Sequence, residues 1–302
     1  MAGPAEMKFD SSVASVNSVA RTDVHRVVGE SRAKALDDLA IEEPLEIRLG
    51  FPDAKHRAVS ITMRTPGEDA ELAAGFLFTE GMIKSPEQIR QIRHCGLKID
   101  SNKGTLDRAA AINSNTIRVD LTDASAVDLK KLERHFYTTS SCGVCGKSSI
   151  DALRTEARPI AESGLRVSAD LIHSLPNKLR EAQDVFDRTG GLHASALFDS
   201  QGTLDIVRED VGRHNALDKV IGRKFLDGET PLSDKLLLVS GRASFELVQK
   251  ALVAGIPILA AVGAPSSLAV ELAREYGMTL VGFVRDGRFN VYCGNERILA
   301  NS

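Results

Sequence analysis

Two thiols, Cys142 and Cys145, sit in the stretch Thr138-Thr139-Ser140-Ser141-Cys142-Gly143-Val144-Cys145-Gly146-Lys147. Ser, Thr and Gly surround them, the composition of an exposed loop rather than of a core. The glycine after each cysteine lets the backbone bend so that both sulfurs point the same way. Lys147, or nearby helix amides, would lower a thiol pKa and favour thiolate at neutral pH. Such a pair can carry a persulfide, close a disulfide or bind zinc. A loop whose cysteines do nothing is the bland alternative, and packing explains paired thiols among Gly and Ser poorly. The remaining cysteines, Cys95 and Cys293, are isolated in apparent strands, so a second paired motif for a four-thiolate zinc site is missing. A zinc deaminase needs His-x-Glu ahead of Pro-Cys-x-x-Cys. Here Ser141 precedes the pair, His193 comes after it, and Ser195 stands where the Glu belongs. Deamination then lacks its acid/base group and is excluded. Taken alone, His193 is more often an ordinary strand histidine than a ligand.

Other polar stretches lie at expected strand ends. Arg208-Glu209-Asp210-Val211-Gly212-Arg213-His214-Asn215-Ala216-Leu217-Asp218-Lys219 joins a strand to a helix. It reads either as a functional loop or as a capped helix with a solvated charged face. Ser240-Gly241-Arg242 and Gly263-Ala264-Pro265-Ser266-Ser267 follow apolar strands and precede helices. Ligands of open α/β sheets bind at that edge, where helix amides attract phosphate and Arg242 can pair with it. Tight strand-to-helix turns would look the same.

The elements that must position these groups follow from periodicity. Residues 1–38 show no clean period and are expected to be a flexible tail. Residues 39–125 read as a mixed β-rich unit. It opens with a hairpin of Glu42–Leu49 and Val59–Thr65. Thr65-Pro66-Gly67-Glu68 carries the signals of a capped helix start, with Leu72, Ala73, Phe76 and Leu77 on one face. Ser85-Pro86-Glu87-Gln88 repeats those signals. Strands are expected near Ile89–Ile99 and Asn115–Leu121, with a polar loop between them. From residue 126 to 302 the expectation is an α/β unit carrying the thiol loop. It has short helices at 128–135 and 147–155, a helix at 168–188 broken near Pro176, and a hairpin of Leu192–Phe198 with Leu204–Val207. Thereafter helices (213–225, 243–254, 266–276) alternate with apolar strands (236–240, 258–262, 279–284), and a last strand lies near 289–292. That alternation implies a parallel sheet covered on both faces.

Composition limits the function classes. The 302 residues are 43% hydrophobic and 26% charged, with a net charge of −3. That balance does not favour nucleic acid. No apolar run approaches the ~18 residues of a membrane span, and no export signal is apparent. Four cysteines do not make a disulfide scaffold, so a cytoplasmic protein is expected.

With these pieces placed, the chain resembles the FdhD family of sulfur carriers that activate formate dehydrogenases. The resemblance rests on Glu43-Pro44-Leu45, Met63-Arg64-Thr65-Pro66, Gly75-Phe76-Leu77 with Glu80-Gly81, Ser141–Lys147, Gly191-Leu192-His193-Ala194, Glu209–Asn215, Ser240-Gly241-Arg242 and Ala264–Ala269. It implies a cytidine-deaminase-like three-layer α/β/α C-terminal domain beside the smaller β-rich one, and a homodimer. A cysteine desulfurase would load sulfur as persulfide on Cys142, with Cys145 as partner. The sulfur would pass to the bis-molybdopterin guanine dinucleotide molybdenum cofactor, bound as substrate at Ala260-Ala261-Val262-Gly263-Ala264-Pro265, for use by formate dehydrogenase. No permanent metal is implied. The alternatives are a cofactor-binding chaperone without sulfur chemistry, and a zinc or redox CxxC protein.

Overall fold

The computed structural model describes residues 18–53, 55–95, 115–123, 159–160 and 164–299. The thiol loop with Cys142, Cys145 and Lys147 lies outside the described residues. So do the helices expected at 128–135 and 147–155, and the whole of the polar loop at 100–114.

Strands β1 (Val19–Val28) and β2 (Ser31–Ala40) form an antiparallel hairpin, paired from Val19↔Ala40 to Val28↔Ser31. The expectation of a tail through residue 38 is therefore corrected for residues 19–38. Its apolar residues do not alternate with a strand period, and Val27, Val28, Leu36 and Leu39 remain exposed. Cross-strand ion pairs such as Arg21–Asp38 at 2.9 Å accompany the backbone ladder.

Strands β3 (Glu43–Gly50) and β4 (His56–Arg64) make the expected second hairpin. Helix α1 (Asp69–Thr79) follows, one turn later than its sequence signals indicate. Thr65 does not cap it. Its N–H donates to Asp210 Oδ2 at 3.2 Å, and its hydroxyl accepts from the Val211 N–H at 3.2 Å. Tertiary partners thus outcompete the local cap, and Glu68 takes the N-cap position at φ 51°. Ser85 and Gln88 do form a reciprocal capping box, but it closes only one 3-10 turn, Pro86–Gln88. Strands β5 (Ile89–His94) and β6 (Thr116–Leu121) complete a four-stranded sheet of order β4-β3-β6-β5. Leu45, Ile47, Leu49, Ile117 and Val119 on this sheet pack with Leu72, Ala73 and Leu77 of α1.

A short β7 (Val167–Ser168) leads into α2 (Ala169–Glu181). Pro176 sits inside α2 without ending it; the break falls at Ala182 and Gln183, before α3 (Asp184–Thr189). Strands β8 (His193–Phe198) and β9 (Leu204–Asp210) pair antiparallel as expected. Then come α4 (Arg213–Leu226), β10 (Leu236–Val239), α5 (Phe245–Val253), β11 (Ile258–Ala261), α6 (Ser267–Glu275), β12 (Thr279–Arg285) and β13 (Arg288–Cys293). A final β14 (Ile298–Leu299) pairs with β7.

The larger sheet has the order β13-β12-β11-β10-β8-β9. Only β10, β11 and β12 run parallel; β8, β9 and β13 join antiparallel. Successive strand residues point to opposite faces. Leu237, Val239, Leu259 and Ala261 accordingly pack with α4, α5 and α6, while Leu236, Leu238, Ile258 and Ala260 pack with Ile172, Leu175 and Leu179 of α2. Burial on both faces explains why these strands are continuously apolar.

Candidate functional site

At the carboxyl ends of β10 and β11 two loops run side by side. The Val262 N–H donates to Val239 O at 3.1 Å, the Gly263 N–H to Gly241 O at 2.9 Å, and the Ser266 N–H to Ala243 O at 3.0 Å. The Phe283 N–H donates to Gly263 O at 3.0 Å, from a bulged part of β12 where Phe283 has φ 56°. A Cβ on Gly263 would lie 3.0 Å from Gly241 O and 3.1 Å from Arg242 Cα. The close approach of the two loops therefore calls for glycine. Ser266 caps α6 by accepting the Ala269 N–H at 3.2 Å. Ser266→Ala is expected to lower stability by about 1 kcal/mol in a chemical denaturation curve.

The neighbouring strand β8 is tied to the same edge. The Ser240 N–H donates to Ala194 O, and the Ser240 hydroxyl accepts the Ala194 N–H, each at 2.9 Å. This seats His193 against Gly241, where a Cβ would stand 3.4 Å from His193 Nδ1. The imidazole is half-buried. Burial and the charge of Arg213 push its pKa below the usual histidine value, with Asp210 opposing. Ser240-Gly241-Arg242, the Gly263 loop and His193, set apart in sequence, thus meet at one sheet edge.

Within the expected cofactor segment, Ala260 and Ala261 are fully buried, one in each core layer. Val262, Gly263, Ala264 and Pro265 are half-exposed and form its accessible part. Arg242 is exposed beside them. The positions of Cys142 and Cys145 relative to this edge lie outside the described residues.

The polar run after β9 is mostly internal rather than a solvated face. Asp210 is completely buried and accepts N–H groups from Thr65 (3.2 Å), Gly212 (2.8 Å) and Asn215 Nδ2 (3.0 Å). It also pairs with buried Lys219 at 2.9 Å. Lys219 Nζ donates to Thr65 O and Glu209 O, and Asn215 Nδ2 donates to Met63 O at 2.7 Å. Glu209 accepts the Val185 and Phe186 N–H groups at the start of α3. Arg208 makes a two-point pair with Glu71 of α1 at 2.6 and 2.9 Å. The run therefore clasps the four-stranded sheet and α1 onto α4. Sequence reasoning missed Lys219 and Lys250, since lysine is rarely buried unless paired. Lys250 bonds Thr79 (2.8 Å), Glu80 (3.2 Å) and Asp218 (3.0 Å).

Arg213 and His214 remain. The Arg213 Nε is buried with no partner among the described residues. His214 Nε2 is 3.3 Å from the Ser244 hydroxyl. Burial, with Lys250 and Arg213 close by, lowers its pKa to about 4, so the ring is neutral at pH 7. Burial raises the thiol pKa of both Cys95 and Cys293, which makes each a poor nucleophile. Among the described residues no three His, Cys, Asp or Glu side chains converge to hold a metal, and no helix is long and apolar enough to cross a membrane. Two open surface grooves near Lys178, Gln201 and Leu204 lie at the opposite end of the sheet, beside the β8–β9 turn.

Comparison with known proteins bears on this edge. The family model of FdhD/NarQ matches residues 40–299. A "Sulfur carrier protein FdhD" of Streptomyces avermitilis is 54% identical, over 87% of this chain and 89% of its own. A protein of the same description from Saccharolobus solfataricus is 42% identical, over 93% of this chain and 98% of its own. A crystal structure from Desulfotalea psychrophila, described as a formate dehydrogenase accessory protein, superposes with a TM-score of 0.70 at 27% identity. It covers 94% of this chain and 100% of that one. With the motifs that meet at the strand edge falling inside the matched span, the chain belongs to the FdhD/NarQ family.

Proposed function

We propose that this sulfur carrier accepts persulfide sulfur from a cysteine desulfurase on Cys142, with Cys145 as its partner. It delivers that sulfur to the molybdenum of a bis-molybdopterin guanine dinucleotide, bound as substrate at the strand edge, for use by formate dehydrogenase. The observation that carries this reading is the convergence of Gly241, Arg242, the Val262–Pro265 loop and His193 at the carboxyl end of the parallel strands. Open α/β sheets bind nucleotides there, and close backbone packing with helix N-termini suits phosphate.

In the loading step the Cys142 thiolate attacks the outer sulfur of the desulfurase persulfide. A new S–S bond forms at Cys142, the desulfurase S–S bond breaks, and its electron pair leaves with the desulfurase thiolate. No oxidant is consumed. Cys142 and Lys147 are close in sequence, which supports a lowered thiol pKa. This makes the chain a sulfurtransferase. The mixed sheet with helices on both faces supports a cytidine-deaminase-like layering of residues 126–302, next to a β-rich unit at 39–125. A homodimer and a cytoplasmic setting belong to the same reading.

Incubation with a desulfurase and cysteine is expected to raise the intact mass by about 32 Da, one sulfur atom. Cys142→Ala should gain nothing and should leave formate dehydrogenase inactive in cells lacking the native carrier. Full rescue by Cys142→Ala would reject sulfur carriage at this residue and leave cofactor binding alone.

A further inference from the structure

We propose that His193 and Arg213 form the anion-holding end of the strand-edge site, taking one phosphate of a diphosphate group. The assignment rests on reading that edge as the nucleotide site, and it names the side chains that grip the ligand there.

The neighbouring charges select Arg213. Arg208 is paired with Glu71, Glu209 with the start of α3, and Asp210 with Lys219 and three N–H groups. Arg213 is the first residue of α4, three positions beyond Asp210. Its Nε is shut away from water without a described partner. A buried guanidinium nitrogen left unpaired is costly, and an anion removes the cost.

His193 stands directly across the β8–β9 ladder from Asp210, which brings it to the same corner. Its ring lies against Gly241, and neither ring nitrogen bonds a described residue. The charged groups acting on it are Arg213, which disfavours its protonation, and buried Asp210, which favours it. Glu246 also feels the Arg213 charge, from the side of His214. Exposed Arg242 lies on the adjoining loop. In the free protein burial and Arg213 disfavour the protonated imidazole, and the neutral ring can donate one N–H. A phosphate placed between it and Arg213 offsets the guanidinium charge and raises the imidazole pKa. Binding therefore takes up a proton, and affinity rises as pH falls from the bound-state pKa toward the free-state one.

Titration calorimetry on the full-length protein tests this with inorganic pyrophosphate and guanosine diphosphate. Runs at pH 6 to 8 in buffers of different ionisation heat also count protons. The wild type should bind both ligands and take up protons. His193→Gln and Arg213→Gln should each weaken both by about tenfold or more, the effect of losing one hydrogen bond to a charged group. Arg213→Lys should recover part of the loss. His193→Gln should also abolish the excess proton uptake over the phosphate's own titration, which a merely structural change would leave intact. Thermal melts identify any variant that fails to fold. Wild-type affinity for both ligands in both Gln variants, or undiminished proton uptake in His193→Gln, overturns the assignment while leaving the nucleotide reading standing. Pyrophosphate binding lost in the variants, with no wild-type affinity for guanosine diphosphate, overturns the nucleotide reading and keeps the anion site.

Discussion

Gly222→Ala is expected to destabilise the protein by about 3 kcal/mol or more, at the upper end of overpacking costs. Local propensity has the opposite sign, because alanine in a helix interior is favoured over glycine by roughly 1 kcal/mol. The crossing of α1 and α4 decides which wins. A Cβ on Gly222 would sit 1.8 Å from the backbone oxygen of Glu71, and one on Gly75 would sit 1.9 Å from that of Asp218. Neither obstacle is a side chain that can swing away. The helices would have to separate, opening the contact between Phe78 and Phe225, whose rings now stack at 4.7 Å. At roughly 2 °C or more per kcal/mol for a chain of this size, the melting point should fall by about 6 °C or more. A melting point equal to or above the wild type would mean that the two helices do not cross this closely.

Asp210→Ala should cost about 3–5 kcal/mol, the range for removing one partner of a buried ion pair. Asp210 and Lys219 are both almost wholly inaccessible. Removing the carboxylate leaves the buried Lys219 ammonium with two backbone carbonyls and the more distant Glu68 carboxylate at 3.7 Å, and releases the Thr65, Gly212 and Asn215 N–H groups together. The clasp between the β4–α1 turn and the β9–α4 turn would loosen, and the strand-edge site with it. The sharper measurement is the double variant Asp210→Ala/Lys219→Met. If the stranded charge causes the loss, the double variant should be more stable than Asp210→Ala alone. A double variant that loses the sum of both single effects would show that backbone tethering matters and the charge does not.

Both predictions concern residues that looked different before the chain was folded. Asp210 and Lys219 lie in a run that reads either as a functional loop or as a capped helix with a solvated charged face. Gly75 and Gly222 lie inside helices, and nothing in their local sequence marks the close helix crossing. Each owes its role to a residue far away in sequence: Thr65 for Asp210, Glu71 for Gly222. The same distance explains the misread start of α1. Thr65-Pro66-Gly67-Glu68 satisfies the local rule for a capped helix, yet the Thr65 hydroxyl and N–H are taken by the β9–α4 turn. In the β1–β2 hairpin the backbone ladder orders a segment whose side chains bury little, so hydropathy carried no signal.

The residue pattern by itself determined the strand–helix alternation after residue 190 and the second hairpin. It also placed the glycine-bearing loops at strand ends. These are short-range properties, set by side-chain period and turn chemistry within a few residues. Only the tertiary structure decided that β8 joins the parallel strands antiparallel. That joining brings His193 to Gly241 and Arg213. It also decided which charges of the 208–219 run are consumed inside the protein, and that Arg213 Nε is buried without a partner among the described residues. Burial and pairing depend on what arrives from elsewhere in the chain, and no local window of sequence contains that partner.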